Sequence, residues 1–368
     1  MIDDRDRDEW RNSVIRLLLP SNATSRAASR SLGSLCAGTS AVLAVGLAGM
    51  LSSPAVAQPP TAAPAPTASS LSTEAASAGF RVEQTDSGVS VFDGDQLVTE
   101  YVFKSRQRPI LWPLIGPDAV RMTRDYPMQE GTDGERSDHP HHRSLWFTHG
   151  EVDDQDFWAE GDRRARVEHR EVVRSEADSK RAVIETRSDW VSVDGRRLLS
   201  EHRTMTFHGT VDRRLIDLDI TLVPVAGPVH FGDTKEGTLG IRVAGSMKVD
   251  AGLGGRIINN RGQSDGDAWG QPAEWVDYHG PIGDQTYGIA ILCHPSSTIF
   301  PGRWHVRTYG LFAHNPFGES DFTKQPKTDG YTLEPDQKLT FRYRLVLHRG
   351  DEQEGRISQE WESFEVTP

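Results

Sequence analysis

The sequence predicts an all-β protein, a large antiparallel β-sandwich (supersandwich-like) closed by a short C-terminal helix. Three observations predict it. From Phe80 onward apolar and polar residues alternate with the period of two that half-buried strands show. Turn residues punctuate those runs at hairpin spacing. Only residues 352–365 place apolar and aromatic side chains three to four apart, as a helix requires.

Residues 41–51, AVLAVGLAGML, form the one long apolar run of the 368-residue chain. Arg26 and Arg30 precede it, and Ala55-Val56-Ala57 follows as a small-x-small cleavage signal. That order predicts a secretory signal peptide over residues 1–57, with a retained anchor as the alternative. The run is shorter than the roughly 20 apolar residues of a spanning helix, so no stable membrane span is expected after cleavage. The mature protein is accordingly expected in the periplasm or outside the cell. Cleavage removes Cys36 and leaves Cys293 alone, which excludes an internal disulfide. Residues 58–79, mostly Pro, Ala, Ser and Thr, predict a disordered linker. Residues 80–368 then form a single domain.

Within that domain residues 89–92 and 97–103 flank Asp93-Gly94-Asp95 as a hairpin. Residues 182–193 and 198–207 repeat the pattern around Asp194-Gly195, and residues 215–222 alternate over eight positions. Further strands are expected at 239–243, 287–292, 305–312 and 339–347. Strands without interleaved helices predict a sandwich and not α/β layers. The chain carries 41 Lys and Arg against 53 Asp and Glu, with no basic block. That balance argues against nucleic acid or an anionic lipid surface as the main partner.

Four stretches carry the candidate chemistry. In Asp138-His139-Pro140-His141-His142-Arg143-Ser144-Leu145-Trp146-Phe147-Thr148-His149, four histidines fall within eleven residues. Pro140 cannot donate to a ladder, so the core of this stretch is a loop or the start of a strand. Imidazoles there can donate protons, accept them or ligate a transition metal. If the segment is extended, His139 and His141 face one side and His142 the other. Asp153-Asp154-Gln155-Asp156-Phe157-Trp158 sets carboxylates beside aromatics, which together hold a sugar's hydroxyls and its apolar face. Phe231-Gly232-Asp233-Thr234-Lys235-Glu236-Gly237 offers Glu236 as an acid or base beside Lys235. It lacks the order of a phosphate-binding Walker loop. Aromatic stretches around Trp269, Trp275-Val276-Asp277-Tyr278, Arg303-Trp304-His305 and Tyr309–Gly318 suit a carbohydrate cleft. Cys293 reads as a small buried hydrophobe.

These stretches resemble an exported bacterial family known as PmoA-like, or "methane oxygenase PmoA", from about Phe80 onward. The most specific parts are His139-Pro140-His141-His142-Arg143-Ser144-Leu145-Trp146-Phe147, the 231–237 stretch and Trp304-His305-Val306-Arg307-Thr308-Tyr309-Gly310-Leu311-Phe312-Ala313-His314-Asn315-Pro316-Phe317. The family's name implies a copper oxygenase. A membrane methane monooxygenase subunit would need several apolar spans, and none follows Ala57. The resemblance implies instead a sandwich like that of aldose mutarotases, with neighbours in sugar catabolism.

The leading expectation is an enzyme acting on a carbohydrate or sugar derivative, with no cofactor. His141 or His142 would be the general acid and Glu236 the general base. Arg143 and Lys235 would hold a carboxylate or developing negative charge. Trp146, Trp158 and Trp275 would form the sugar platform, and Asp156, Asp277, His305 and Asn315 would read hydroxyls. Epimerisation, lyase chemistry and hydrolysis all stay open. The second expectation is a copper, iron or zinc enzyme with His139, His141 and His149 as ligands. The third is a non-catalytic glycan-binding module.

Overall fold

The computed structural model describes residues 79–132 and 135–367. The expected leader and, apart from Gly79, the expected linker lie outside the described residues. The chain runs through β1 (Phe80–Gln84), β2 (Gly88–Asp93), β3 (Gln96–Val102), β4 (Ile110–Leu111), β5 (Leu145–His149) and β6 (Arg166–Ala177). It continues through β7 (Arg181–Val191), β8 (Arg197–Thr210), β9 (Arg213–Pro224), β10 (Val229–Phe231), β11 (Gly237–Arg242) and β12 (Arg256–Asn259). After β13 (Trp275–Ile282), β14 (Gln285–Cys293), β15 (Arg303–Val306) and β16 (Leu311–Asn315) comes one helical turn, α1 (Ser320–Thr323). Then follow β17 (Tyr331–Leu333), β18 (Leu339–Arg349) and the C-terminal helix α2 (Ile357–Glu365).

Two eight-stranded antiparallel sheets result. The first runs β1-β2-β3-β4-β5-β11-β16-β15, the second β12-β13-β14-β18-β9-β8-β7-β6. β10 and β17 pair separately. The inner faces share one apolar core: Val91, Phe147, Leu239, Ile241 and Phe312 from the first sheet join Ile184, Phe207, Ile216, Ile220 and Phe341 from the second. Phe147 meets Phe341 across it at 5.4 Å between ring centroids. β9 shows why the sequence folds this way. Ile216, Leu218, Ile220 and Leu222 are buried, while the alternate Asp217 and Asp219 receive Arg344 and Arg342 of β18 on the outer face. The antiparallel sandwich is the predicted one. Among the described residues no helix is long and apolar enough to cross a membrane.

Two expected elements differ. The single strand at 305–312 is a hairpin: Arg307 N–H donates to Leu311 O, Gly310 N–H to Arg307 O, and Gly310 takes φ +102°. Only glycine reaches that conformation without strain, so the turn breaks the run at Tyr309-Gly310. The helix begins at Ile357 and not at 352, because residues before it are held in turns, with Arg356 at φ +52° and Asp351 capping the Gln353 and Glu354 amides.

Candidate functional site

One row of residues on the outer face of the first sheet sets the site. Cross-strand pairs Ile110↔Trp146, Trp146↔Gly240, Gly240↔Ala313 and Ala313↔His305 carry it through β4, β5, β11, β16 and β15. Directly paired residues share a face, so a glycine and an alanine lie between a tryptophan and a histidine. The Trp146 indole lies across Gly240, where a Cβ would sit 2.5 Å from its ring. Gly240→Ala is therefore expected to displace Trp146 and cost about 1–3 kcal/mol through overpacking. Urea unfolding followed by tryptophan fluorescence checks this, and an unchanged midpoint would contradict the close packing.

The histidine stretch is not extended. His142 N–H donates to His139 O, His139 takes φ +44°, and the turn folds the three imidazoles onto one another. His142 lies between His139 (4.8 Å, 9° between planes) and Trp146 (5.3 Å, 13°). His139 also stacks on Tyr309 from the β15–β16 turn at 5.6 Å. Beyond Tyr309 the rim continues through Arg307 to Trp269, which neighbours His305 and Phe322. Gly240 and Ala313 are buried beneath this layer, and the rings that reach its solvent side are His139, Tyr309 and Trp269. Trp112, Trp146, Trp158 and Trp269 each keep a buried indole N–H without an acceptor among the described residues.

Cations lie under the histidine turn. Arg124 is buried and donates to Asp138, to the carbonyls of Arg136, His139 and His142, and so ties the turn down. Arg242 pairs with the same Asp138 carboxylate and with His142 Nδ1. Arg108 donates twice to Trp158 O and faces Glu160, which also receives Arg143 in a forked pair. Burial, reinforced by Arg108, His139, Arg124 and Arg242, pulls His141 down to about 3, so it is a neutral imidazole near pH 7. No described residue hydrogen-bonds either of its ring nitrogens. The Glu236 carboxyl lies 3.2 Å from Lys235 Nζ and 3.9 Å from His305 Nδ1. Burial raises its pKa against the opposing pull of Lys235. His305 Nδ1–H donates to Lys235 O, which leaves Nε2 as the acceptor. Burial, then Arg307 and Lys235, holds His305 at about 3.

Of the residues expected from sequence, His139, His141, His142, Trp146, Trp158, Lys235, Glu236 and His305 come together here. Others do not take the expected place: Trp146 and Trp158 are 0% and 2% exposed, packed with Ile110, Leu311 and Ala313, and present no open face to a sugar. His142 is buried and stacked, so it supports the turn while His141 faces the cleft edge. Arg143 is taken up by Glu160, and Asp156 caps the Trp158 and Ala159 amides while pairing with Arg164. Asn315 braces the 231–237 loop: its amide donates to Thr234 O and its oxygen receives Phe317 and Gly318. Trp275 and Asp277 lie on the other sheet; Trp275 packs beneath α2 with Leu292, Ile357 and Phe364. They cannot serve as platform or hydroxyl reader for this cleft.

The expected ligand set His139, His141 and His149 is not assembled. His149 faces the core, donating to Gly232 O beside Phe231 and Phe317. Among the described residues the grouping that could hold a metal is Asp277, His279 and Glu352, on the second sheet. Asp277 there accepts His279 through one oxygen and His348 through the other, each at 2.7 Å.

Residues 88–362 match the model of DUF6807, a family of unknown function. The chain belongs to the DUF6807 family. No curated protein matches this member by sequence. In fold it is similar to an α-galactosidase from Lactobacillus brevis, at 10% identity and TM-score 0.39, covering 77% of this chain and 41% of that one. It is also similar to a galactose mutarotase-like protein from Lactobacillus casei ATCC 334, at 10% identity and TM-score 0.34, covering 73% and 100%. The chain thus spans less than half of the galactosidase. Neither likeness carries a substrate or reaction over to this DUF6807 member. The family match lends no support to the PmoA name.

Proposed function

We propose that this DUF6807 protein is an exported enzyme that binds a sugar on the outer face of its first sheet and transfers protons there with His141 and Glu236. The observation that carries the reading is the solvent-reaching run of rings His139, Tyr309 and Trp269 over the buried Gly240–Ala313 row, together with an unpartnered neutral imidazole and a carboxyl of raised pKa. Aromatic rings cover the apolar face of a pyranose, and the polar groups beside them, His141 and Glu236, supply hydroxyl partners. Glu236, raised above the usual carboxylate value, is the stronger base of the two and keeps the acceptor role expected from sequence, while His141, neutral near pH 7, offers a ring N–H as hydrogen-bond donor to developing negative charge. Such a pair serves ring-opening epimerisation, elimination or hydrolysis alike.

The test is saturation-transfer NMR against aldoses, keto-sugars and sugar acids, followed by turnover assays on the sugars that bind. Glu236→Gln and His141→Ala are each expected to lower kcat about a hundredfold or more while changing Kd little. Full turnover in both variants would sink the acid–base assignment. Bound sugar without turnover in the unaltered protein would make this a glycan-binding module.

A further inference from the structure

We infer that the sugar taken by this site carries an anionic substituent, a carboxylate or a phosphate, received by Arg307 and Lys324, which both lie against the Trp269 ring. The inference rests on the proposed sugar site and names its substrate class.

It follows from which cations are already engaged. Around the cleft, Arg124 and Arg242 are spent on Asp138, Arg108 and Arg143 on Glu160, Lys235 on Glu236, and Arg303 on Glu319. Arg307 is different. Its guanidinium lies 5.7 Å from the Trp269 ring and 5.5 Å from the Tyr309 ring, half-buried, with no side-chain hydrogen bond or ion pair among the described residues. Lys324 Nζ approaches the same indole at 5.2 Å and donates only to the Asp321 carbonyl. The nearest acidic groups do not answer them: Glu236 faces Lys235 and His305, and the Asp321 carboxylate accepts the Lys235 amide. Trp269 adds a buried N–H that lacks an acceptor. Two unneutralised cations and an unsatisfied donor at one ring are the recognition set for an anion attached to a group that stacks on that ring. The guanidinium fork matches the paired oxygens of a carboxylate or phosphate.

The placement also bears on the chemistry. Arg307 depresses the protonation of His305, so an anion on Arg307 would relieve that pressure and make His305 a stronger acceptor as substrate binds. An acidic substrate would thereby switch on the hydroxyl reader next to Glu236.

Calorimetric titration of the full chain with galacturonate, glucuronate, galactose 6-phosphate, galactose and glucose tests this. At least one acidic sugar is expected to bind tenfold or more tightly than its neutral counterpart, with affinity falling as NaCl rises. Uronate binding without hexose phosphate binding identifies a carboxylate, and the converse a phosphate. Arg307→Gln and Lys324→Gln are expected to erase the acidic preference, read within each variant as the ratio of acidic- to neutral-sugar affinity so that any loss of the cations' ring contacts cancels; an unchanged ratio in both variants would overturn the assignment. Neutral and acidic sugars binding equally would overturn the inference and leave the proposed site standing. Absence of binding by every sugar tested would overturn the proposed site, and this inference with it.

Discussion

Acidification from pH 7 to pH 4 is expected to unfold this domain in one cooperative step, with uptake of at least three protons. Besides His141 and His142 of the turn, the cause lies in His149, His305 and His314, all buried, whose imidazoles are held at about 4, 3 and 4. Desolvation leads in each case, and the hydrogen bonds explain why a second proton finds no place. His314 Nε2–H donates to Pro301 O at 2.6 Å, and its Nδ1 accepts the Tyr343 hydroxyl at 3.0 Å. Protonating that Nδ1 sets two donors against each other. His149 Nδ1 is buried with no partner at all among the described residues. These folded-state values lie below the roughly 6.5 of a free histidine, so the unfolded chain binds more protons as pH falls beneath it. Stability is therefore complete above about pH 6.5 and declines on acidification toward the folded values. Each histidine contributes a slope of about 1.4 kcal/mol per pH unit, so three give about 4, against a total of about 5–15 kcal/mol for a domain. Asp138, Asp233 and Asp277, whose carboxyls are held below the usual range, add their loss only beneath about pH 4. Far-UV circular dichroism with potentiometric titration measures both quantities. A domain still folded at pH 3.5 with uptake of less than one proton would refute the account.

Those three histidines show where sequence reading reaches and where it stops. The alternation in β9 and the Asp93-Gly94 turn announce themselves because a strand's face and a hairpin's turn are local properties. β6 goes unseen since Arg166, Glu168, Arg170, Glu171, Arg174 and Glu176 make it polar; it is the edge strand of its sheet, where charges block further pairing. The same limit governs the site. His141 and Glu236 are legible because histidine density and a carboxylate between glycines are unusual over short spans. Trp275 and Asp277 have the same composition as the true rim residues, and only strand order shows that they belong to the other sheet. Gly240 matters through one cross-strand pair, and Arg307 through the partners it lacks. His149 lies close to His141 in sequence, yet the pleat of β5 sends it to the opposite face from Trp146.

Replacing Glu160 with Gln is expected to cost about 3–5 kcal/mol, the loss that follows when a buried charge is left without its counter-charge. Arg108 and Glu160 are 1% and 2% exposed, and Glu160 also holds Arg143 through two bonds of 2.8 and 2.9 Å to its Nε. Burial already pulls Arg108 down to about 10 despite the Glu160 charge, a sign of how poorly solvent reaches it. In the variant, Arg108 keeps the Trp158 carbonyl but loses the carboxylate. The contrasting change is Arg164→Ala, which breaks an exposed pair with Asp156 and should cost under about 1 kcal/mol. Urea denaturation of both variants checks the difference; a Glu160→Gln loss below 1 kcal/mol would mean that water reaches the Arg108 guanidinium. The effect should extend to the cleft. Arg108 is the strongest of the charges opposing protonation of His141, second only to burial, and Glu160 partly neutralises it. Removing the carboxylate therefore makes His141 still harder to protonate, so in the folded fraction of Glu160→Gln its imidazole should stay neutral to a lower pH than in the unaltered protein, which NMR titration of the ring measures.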